Sequence, residues 1–376
     1  MTIDFPALRP LTSLSSPRDL VRLFTPNWFA VSMGTGIVAV ALGQFPQVPL
    51  LFKTGMGIWV FTMVLFALSV VMYGARWVIF FEGAKRILSH SSMSMFLGCI
   101  PMALATVGNG MVIYGVPALG DVAIDIAFGM WWFDASLAFA CGIGVPFFMF
   151  TRQHHTHDQM TAIWLLPVVA CGVAASSGAL LLPDLAADTH LAVLFVCFAL
   201  WACSVPLAMG LIVMLVVRMI VHKLPHVSMA ASSWLALGPI ASGALGLLLL
   251  SQSAPAVLAA NGLAPFADAL GGASLLAGIL LWGFGFWWLF LATLITIRYF
   301  TEPVPFNLGW WAYTFPLGVY AVATLKLAHI IPLSPIAWFG AVLVVALIIA
   351  WLIVALRTVS GGWRGDLFNS PCIADD

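Results

Sequence analysis

Between Asn27 and Arg357 the chain returns ten times to an apolar run long enough to cross a bilayer. A hydrocarbon core of about 30 Å needs about 20 residues of helix. The runs at 27–47, 55–78, 92–116, 124–150, 160–182, 190–220, 228–251, 266–298, 307–331 and 335–357 meet that length. Transmembrane strands would alternate over segments of about ten residues, whereas these runs are longer and uniformly apolar. The expected fold is therefore an all-α integral membrane protein. Composition agrees: 62% of residues are hydrophobic and 7% charged, against about 25% charged in soluble domains. The net charge of zero argues against a generally basic nucleic-acid binder, and no nucleic-acid partner is expected.

Basic residues set the orientation. Arg9, Arg18, Arg22, Arg76, Lys85, Arg86, Arg152, Arg218, Lys223, Arg298, Arg357 and Arg364 fall on one side, and Lys53 alone on the other. An even span count then places both termini in the cytoplasm of a multi-pass cell-membrane protein. The expected organisation is a cytoplasmic N-terminal segment (1–26), a ten-helix transport domain (27–357) and a cytoplasmic tail (358–376). The mixed stretch before the first run lacks the pattern of a cleavable signal. Cys99, Cys141, Cys171, Cys197 and Cys203 lie in apolar runs and Cys372 in the tail, with no CxxC pair; they read as small hydrophobes.

A repeat is hidden in the odd-numbered spans. Each has a helix breaker among small residues: Gly34, Pro101, Pro167, Pro239 and Pro316, at intervals of 67, 66, 72 and 77 residues. Each even span instead ends on an arginine: Arg76, Arg152, Arg218, Arg298 and Arg357. The chain thus reads as five helical hairpins in quasi-five-fold arrangement. Proline bends a helix and frees a carbonyl, which in lipid needs protein or water beside it, and small residues let backbones approach. The kinked odd helices are therefore expected to line a central pore, with the even helices outside.

Catalytic signatures such as HExxH, GxSxG or a phosphate loop are absent from the sequence, so no enzyme activity, metal or cofactor is expected. The histidines of "TRQHHTHDQ" (151–159) read as a solvated loop without a second ligand set. More informative are the neutral polar residues of the odd spans: Ser32, Thr35, Thr106, Asn109, Ser176, Ser177, Ser232, Ser233, Ser242, Thr314 and Thr324. Each can bond back to its own helix, but together they offer donors to an anion. Phe315 and Lys326, eleven residues apart, lie only about 20° from the same helical face and about 16 Å apart along it, with Gly318 between them. If that face meets the axis, Phe315 is a mid-depth constriction and Lys326 an electropositive group further out. Packing of Phe315 and snorkelling of Lys326 are the plainer alternatives. Asp134 in "WWFDAS" sits on an even span; a hydrogen-bonding role is expected, with proton coupling as the alternative.

The segments "FTPNWFAVSMGTGI" (24–37), "IPMAL" (100–104), "WWFD" (131–134), "LGPIASGALGLLLL" (237–250) and "WWAYTFPLG" (310–318) resemble, in this order, the tellurite-resistance/dicarboxylate transporter family. That family includes plant slow anion channels, yeast malic-acid permeases and yeast sulfite efflux pumps. The resemblance implies a ten-helix quasi-five-fold fold, a pore occluded by the ninth-helix phenylalanine (here Phe315, followed by Pro316), and a homotrimer, as in bacterial and plant members. "PVVACGVAASSG" and "TFPLG" look most like the sulfite-pump branch. Bidentate capture of a dicarboxylate usually uses arginine, and no odd span carries one at mid-depth. The expectation is efflux of a small anion of the sulfite or bisulfite type. Transport of a C4-dicarboxylate such as malate, proton-coupled or not, and a nonselective nitrate or chloride channel are the alternatives.

Overall fold

The structure is a computed structural model that describes residues 10–368; Arg9 and Cys372 lie outside the described residues. Helical stretches fall on every predicted span: α1 (Pro26–Leu42), α2 (Pro49–Ile79), α3 (Met93–Leu119), α4 (Asp121–Thr151), α5 (Ala162–Asp184), α6 (His190–His222), α7 (Val227–Ala260), α8 (Ala264–Tyr299), α9 (Phe315–Ile330) and α10 (Ser334–Arg364). Among the described residues no strand occurs. Eight of these helices are long and apolar enough to cross a membrane; α1 and α9 are shorter. The shortfall at α9 has a local cause. Its first turns are a separate 3-10 helix, Leu308–Tyr313, set off by Thr314. At the other end of the chain, α10 runs to Arg364, beyond the predicted start of the tail.

The odd-numbered helices share one construction. A 3-10 lead-in (Pro26–Trp28, Met93–Gly98, Ala162–Leu165, Val227–Ala236 or Leu308–Tyr313) passes into an α-helix. Pro101, Pro167, Pro239 and Pro316 all stand within the first three residues of the α part. The physics is direct. A proline ring clashes with the carbonyl four residues earlier, so α-geometry cannot run through from the N-terminal side. It is tolerated in the first turn, where its missing N–H costs nothing. The sequence suggests a kink within each odd helix; the structure puts each of these prolines at a 3-10 to α junction. Gly34 differs, lying inside the continuous α part Phe29–Leu42. There a Cβ would come closer to Thr314 Oγ1 and the Trp311 ring than real Cβ atoms approach, so glycine is what lets α1 lie against the start of α9.

Burial separates the two sets. In the most apolar window of α5 and of α7, 94% and 89% of residues are buried, against 22% in α2 and in α4. Every residue from Phe315 to Thr324 of α9 is buried. Packing follows a closed circuit: α1 on α3, α3 on α5, α5 on α7, α7 on α9, and α9 back on α1. Each even helix lies against the odd helix before it and also touches the next, with α10 returning to α1. Large apolar side chains such as Phe133, Phe150, Phe195 and Leu356 remain exposed on the even helices.

Candidate functional site

At the end of the bundle where Leu11 and Ser13 bond the backbone of Trp363 and Arg364, the five 3-10 lead-ins surround a cavity of about 400 Å³. Its walls are Asn27, Ala30 and Met33 of α1; Ser92, Met93, Phe96 and Cys99 at α3; Ile163 and Leu166 of α5; Ser228, Met229, Ala231, Ser232 and Leu235 of α7; and Phe306 to Gly309 with Ala312 before α9. Asp366 and Leu367, past the end of α10, complete it. The volume is in the range of small-ligand sites, about 300–1,000 Å³. Among the described residues its polar side chains are hydroxyls and amides plus one carboxylate, and no lysine, arginine or histidine lines it.

Side chains at the ends of the outer helices hold these lead-ins in place. Fully buried Arg76, in the last turn of α2, donates to Phe24 O at 2.7 Å and Gly83 O at 3.2 Å. Arg218 of α6 donates to Asp158 O at 3.0 Å and Lys223 O at 2.7 Å. Where the arginine turns away, its neighbour acts instead. Arg152 lies over the Phe148 ring, and Gln153 donates to Leu88 O and Ser94 Oγ, both at 2.9 Å. Arg298 bonds Thr301, and the Tyr299 hydroxyl donates to Pro225 O at 2.7 Å. At α10 the Arg357 guanidinium sits 5.5 Å over the Trp310 ring, close enough for cation–π attraction. The lead-ins are also capped from within. His90 Nδ1 accepts from the backbone of Ser92 and Met93, His226 Nδ1 from that of Ser228, and Asn307 Oδ1 from that of Gly309.

Phe315 does not line this cavity. It is buried, 3% exposed, and follows Ala312, the last lining residue of that segment, by three positions. Thr314 beside it bonds back to Trp311 O at 2.7 Å, and Pro316 fills the second position of α9. Gly318 faces protein rather than open space: a Cβ there would meet the Ile37 and Leu347 side chains. Lys326 is half-buried near the far end of α9.

The hydroxyls divide. Thr106, Ser176 and Thr324 donate to Ala103 O, Val173 O and Tyr320 O at 2.7–2.8 Å, and Ser242 reaches Pro239 O only at 3.5 Å. Thr35 accepts from Trp351 Nε1 at 3.2 Å. Ser32 Oγ and Ser177 Oγ are buried without a partner. Asn109, Ser177 and Asp134 come together at the α3–α4–α5 junction around a cavity of about 10 Å³, near the minimum that holds one water. There Asp134 is 2% exposed and its Oδ1 has no partner. Of the candidate site residues named from sequence, Ser232 reaches the large cavity; the hydroxyls and amides of Asn27, Ser92, Ser228 and Asn307 beside it are not among those candidates. Each stands just before or at the start of an apolar run, so a search inside the runs passes over it.

Comparison with known proteins places this architecture. The voltage-dependent anion channel family model matches residues 23–359. The sulfite efflux pump SSU1 of Trichophyton rubrum is 36% identical over 351 residues, covering 92% of each chain. An uncharacterized transporter of Methanocaldococcus jannaschii, MJ0576, is 27% identical, over 96% of this chain and 99% of the other. The malic acid transport protein of Schizosaccharomyces pombe is 25% identical, over 93% and 80%. A family match across nearly all the membrane-embedded residues, together with a relative at this identity, settles the class: the chain belongs to the voltage-dependent anion channel family.

Proposed function

We propose that this protein carries small anions, of the sulfite type, out of the cell along a path enclosed by α1, α3, α5, α7 and α9. In this reading ten helices cross the cell membrane as five hairpins, both termini are cytoplasmic, and the large cavity is the cytoplasmic mouth. The distribution of basic residues supports that orientation. One observation carries the reading: all five inner helices contribute to the walls of a single cavity, as expected of helices arranged about a common axis. Its hydroxyls and amides replace part of an anion's hydration shell without the trap a buried arginine would set. Beyond Ala312 the path narrows to Phe315, an apolar constriction that stays dry until the ring moves. Lys326 draws the anion outward on the far side.

Sulfite is favoured because the sulfite efflux pump named above is 36% identical to this chain, against 25% for the malic acid transport protein. Malate is the second reading. The fission-yeast relative supports it, and a cavity of about 400 Å³ has room for a C4-dicarboxylate. Asp134 serves α3–α4–α5 packing rather than coupling, so Asp134→Asn leaves the response to an imposed pH gradient unchanged. The exposed apolar faces of the even helices take lipid and neighbouring copies, three in the family-like assembly. The deciding experiment is a liposome flux panel of sulfite, malate, nitrate and chloride. Sulfite is expected to move fastest; malate moving faster favours the second reading, and no flux of any anion defeats both.

A further inference from the structure

Asp134 is the buried carboxylate of this molecule, and the proposed path makes no use of it. It stands midway along α4, an outer helix, yet is only 2% exposed, so it faces protein rather than lipid. Its Oδ1 has no hydrogen-bond partner, and neither has Ser177 Oγ of α5, itself 7% exposed. Both residues line the cavity of about 10 Å³ at the α3–α4–α5 junction, and Asn109 of α3 brings its amide to the same space. Among the described residues no lysine, arginine or histidine lines it. The walls are well fixed. Trp131, one turn before Asp134, donates to Ala174 O of α5 at 2.9 Å and so holds α4 against the helix that carries Ser177. Just past Asn109, Met111–Gly115 of α3 is π-helical, a rare widening found mostly at functional sites. Gly108 also lines the cavity, and open space stands where its side chain would be.

A carboxylate buried without a countercharge is strongly disfavoured, and an ionisable group at this depth in a membrane protein marks a binding function. The oxygens of a carboxylate, a hydroxyl and an amide form the donor set of a hard cation. Charge then sets the valence. One carboxylate balances one positive charge, and a dication would leave the junction positive inside the membrane. Volume sets the size: space for about one water suits a sodium ion and is tight for potassium. We infer that the α3–α4–α5 junction binds a single sodium ion, held by Asp134, Ser177 and Asn109. The ion is a fixed part of the scaffold that ties an outer helix to two inner ones; it is not the transported species. Its site shares no lining residue with the large cavity.

The test reads the thermal midpoint of the full chain in detergent, at fixed pH and fixed ionic strength, in chloride salts of sodium, potassium or choline. Replacing choline by about 200 mM sodium should raise the wild-type midpoint by about 3 °C or more, and potassium should raise it by about 1 °C or less. Asp134→Asn keeps the shape of the side chain and removes its charge, so the sodium response should vanish. Ser177→Ala keeps the charge and removes one ligand. It should raise the half-saturating sodium concentration at least about threefold, and it decides the matter if Asp134→Asn does not fold. A wild-type midpoint that ignores sodium overturns the inference and leaves a proton or a water as the occupant. A response matched by potassium, one that survives at full size in Asp134→Asn, or an unshifted half-saturation in Ser177→Ala overturns it as well, because the ion would then act elsewhere. No flux enters these measurements, so their failure leaves the proposed function to be judged by the liposome panel alone.

Discussion

The two ends of the inner helices are built to opposite rules. At one end, 3-10 lead-ins stand apart around about 400 Å³ of space edged with hydroxyls and amides. Past the prolines, the same helices close on one another. Gly318 is filled by Ile37, and Thr106, Ser176 and Thr324 donate their hydroxyl hydrogens to their own helices. What the difference teaches is where resistance to an anion must reside. On the proposed path it would lie not at the mouth but beyond Ala312, and the first bulky side chain there on α9 is Phe315. The strongest attempt to break this contrast is Phe315→Ala. Anion flux in liposomes should rise by about tenfold or more, equivalent to at least about 1.4 kcal/mol of barrier. Unchanged flux would place the constriction elsewhere.

The second test addresses what keeps the open end open. Arg76→Met removes two charge-assisted bonds from a fully buried site and strands the Phe24 and Gly83 carbonyls. A loss of about 3 kcal/mol is expected, read as a lower thermal midpoint in detergent. Exposed Arg152, which only covers a ring on its own helix, should tolerate the same change within about 0.5 kcal/mol. Equal losses at both sites would mean that the arginines act through membrane orientation rather than by fixing the lead-ins. The third test addresses the joint between α1 and the start of α9. Gly34→Ala forces a Cβ into Trp311 and Thr314, and overpacking of this kind costs about 1–3 kcal/mol. The same substitution at Gly57, which has open space around it, is the control and should be neutral or slightly stabilising.

Hydropathy alone makes the helix positions legible, and the spacing of small residues and prolines makes legible which helices are buried. Both are period-independent sums over many residues, so single errors do not matter. The mouth was not legible for the opposite reason. Asn27, Ser92, Ser228 and Asn307 belong to 3-10 turns at the margins of the apolar runs, where a 3.6-residue period assigns no face. Sequence also cannot tell a hydroxyl that bonds its own helix, such as Thr106, from one left without a partner, such as Ser32, because the choice depends on a rotamer and a neighbour. Gly318 shows the same limit. It lies on the stripe joining Phe315 to Lys326, yet neighbouring side chains occupy its open side. The repeated arginines were visible as a pattern, but their work was not. Two of the five pass it to the next residue, Gln153 and Tyr299.

The smallest expected effect concerns pH and the mouth alone. His90 lies ahead of α3, and burial holds its imidazole below the usual range. Nδ1 accepts from the backbone N–H groups of Ser92 and Met93 at 3.1 and 3.2 Å, which it can do only while that nitrogen is unprotonated. With the folded pKa below the unfolded value of about 6.5, the unfolded chain binds the proton first. The contribution is thus fully present above about pH 6.5 and is lost as pH falls toward the folded pKa. Acidification should lower the thermal midpoint of the wild type more than that of His90→Asn, since asparagine caps without titrating. Gly34 packs on Trp311 and Thr314 and touches no titrating group, so Gly34→Ala should show the full wild-type pH response. Should His90→Asn show it too, the mouth does not depend on this histidine's neutral form, and its capping geometry is incidental.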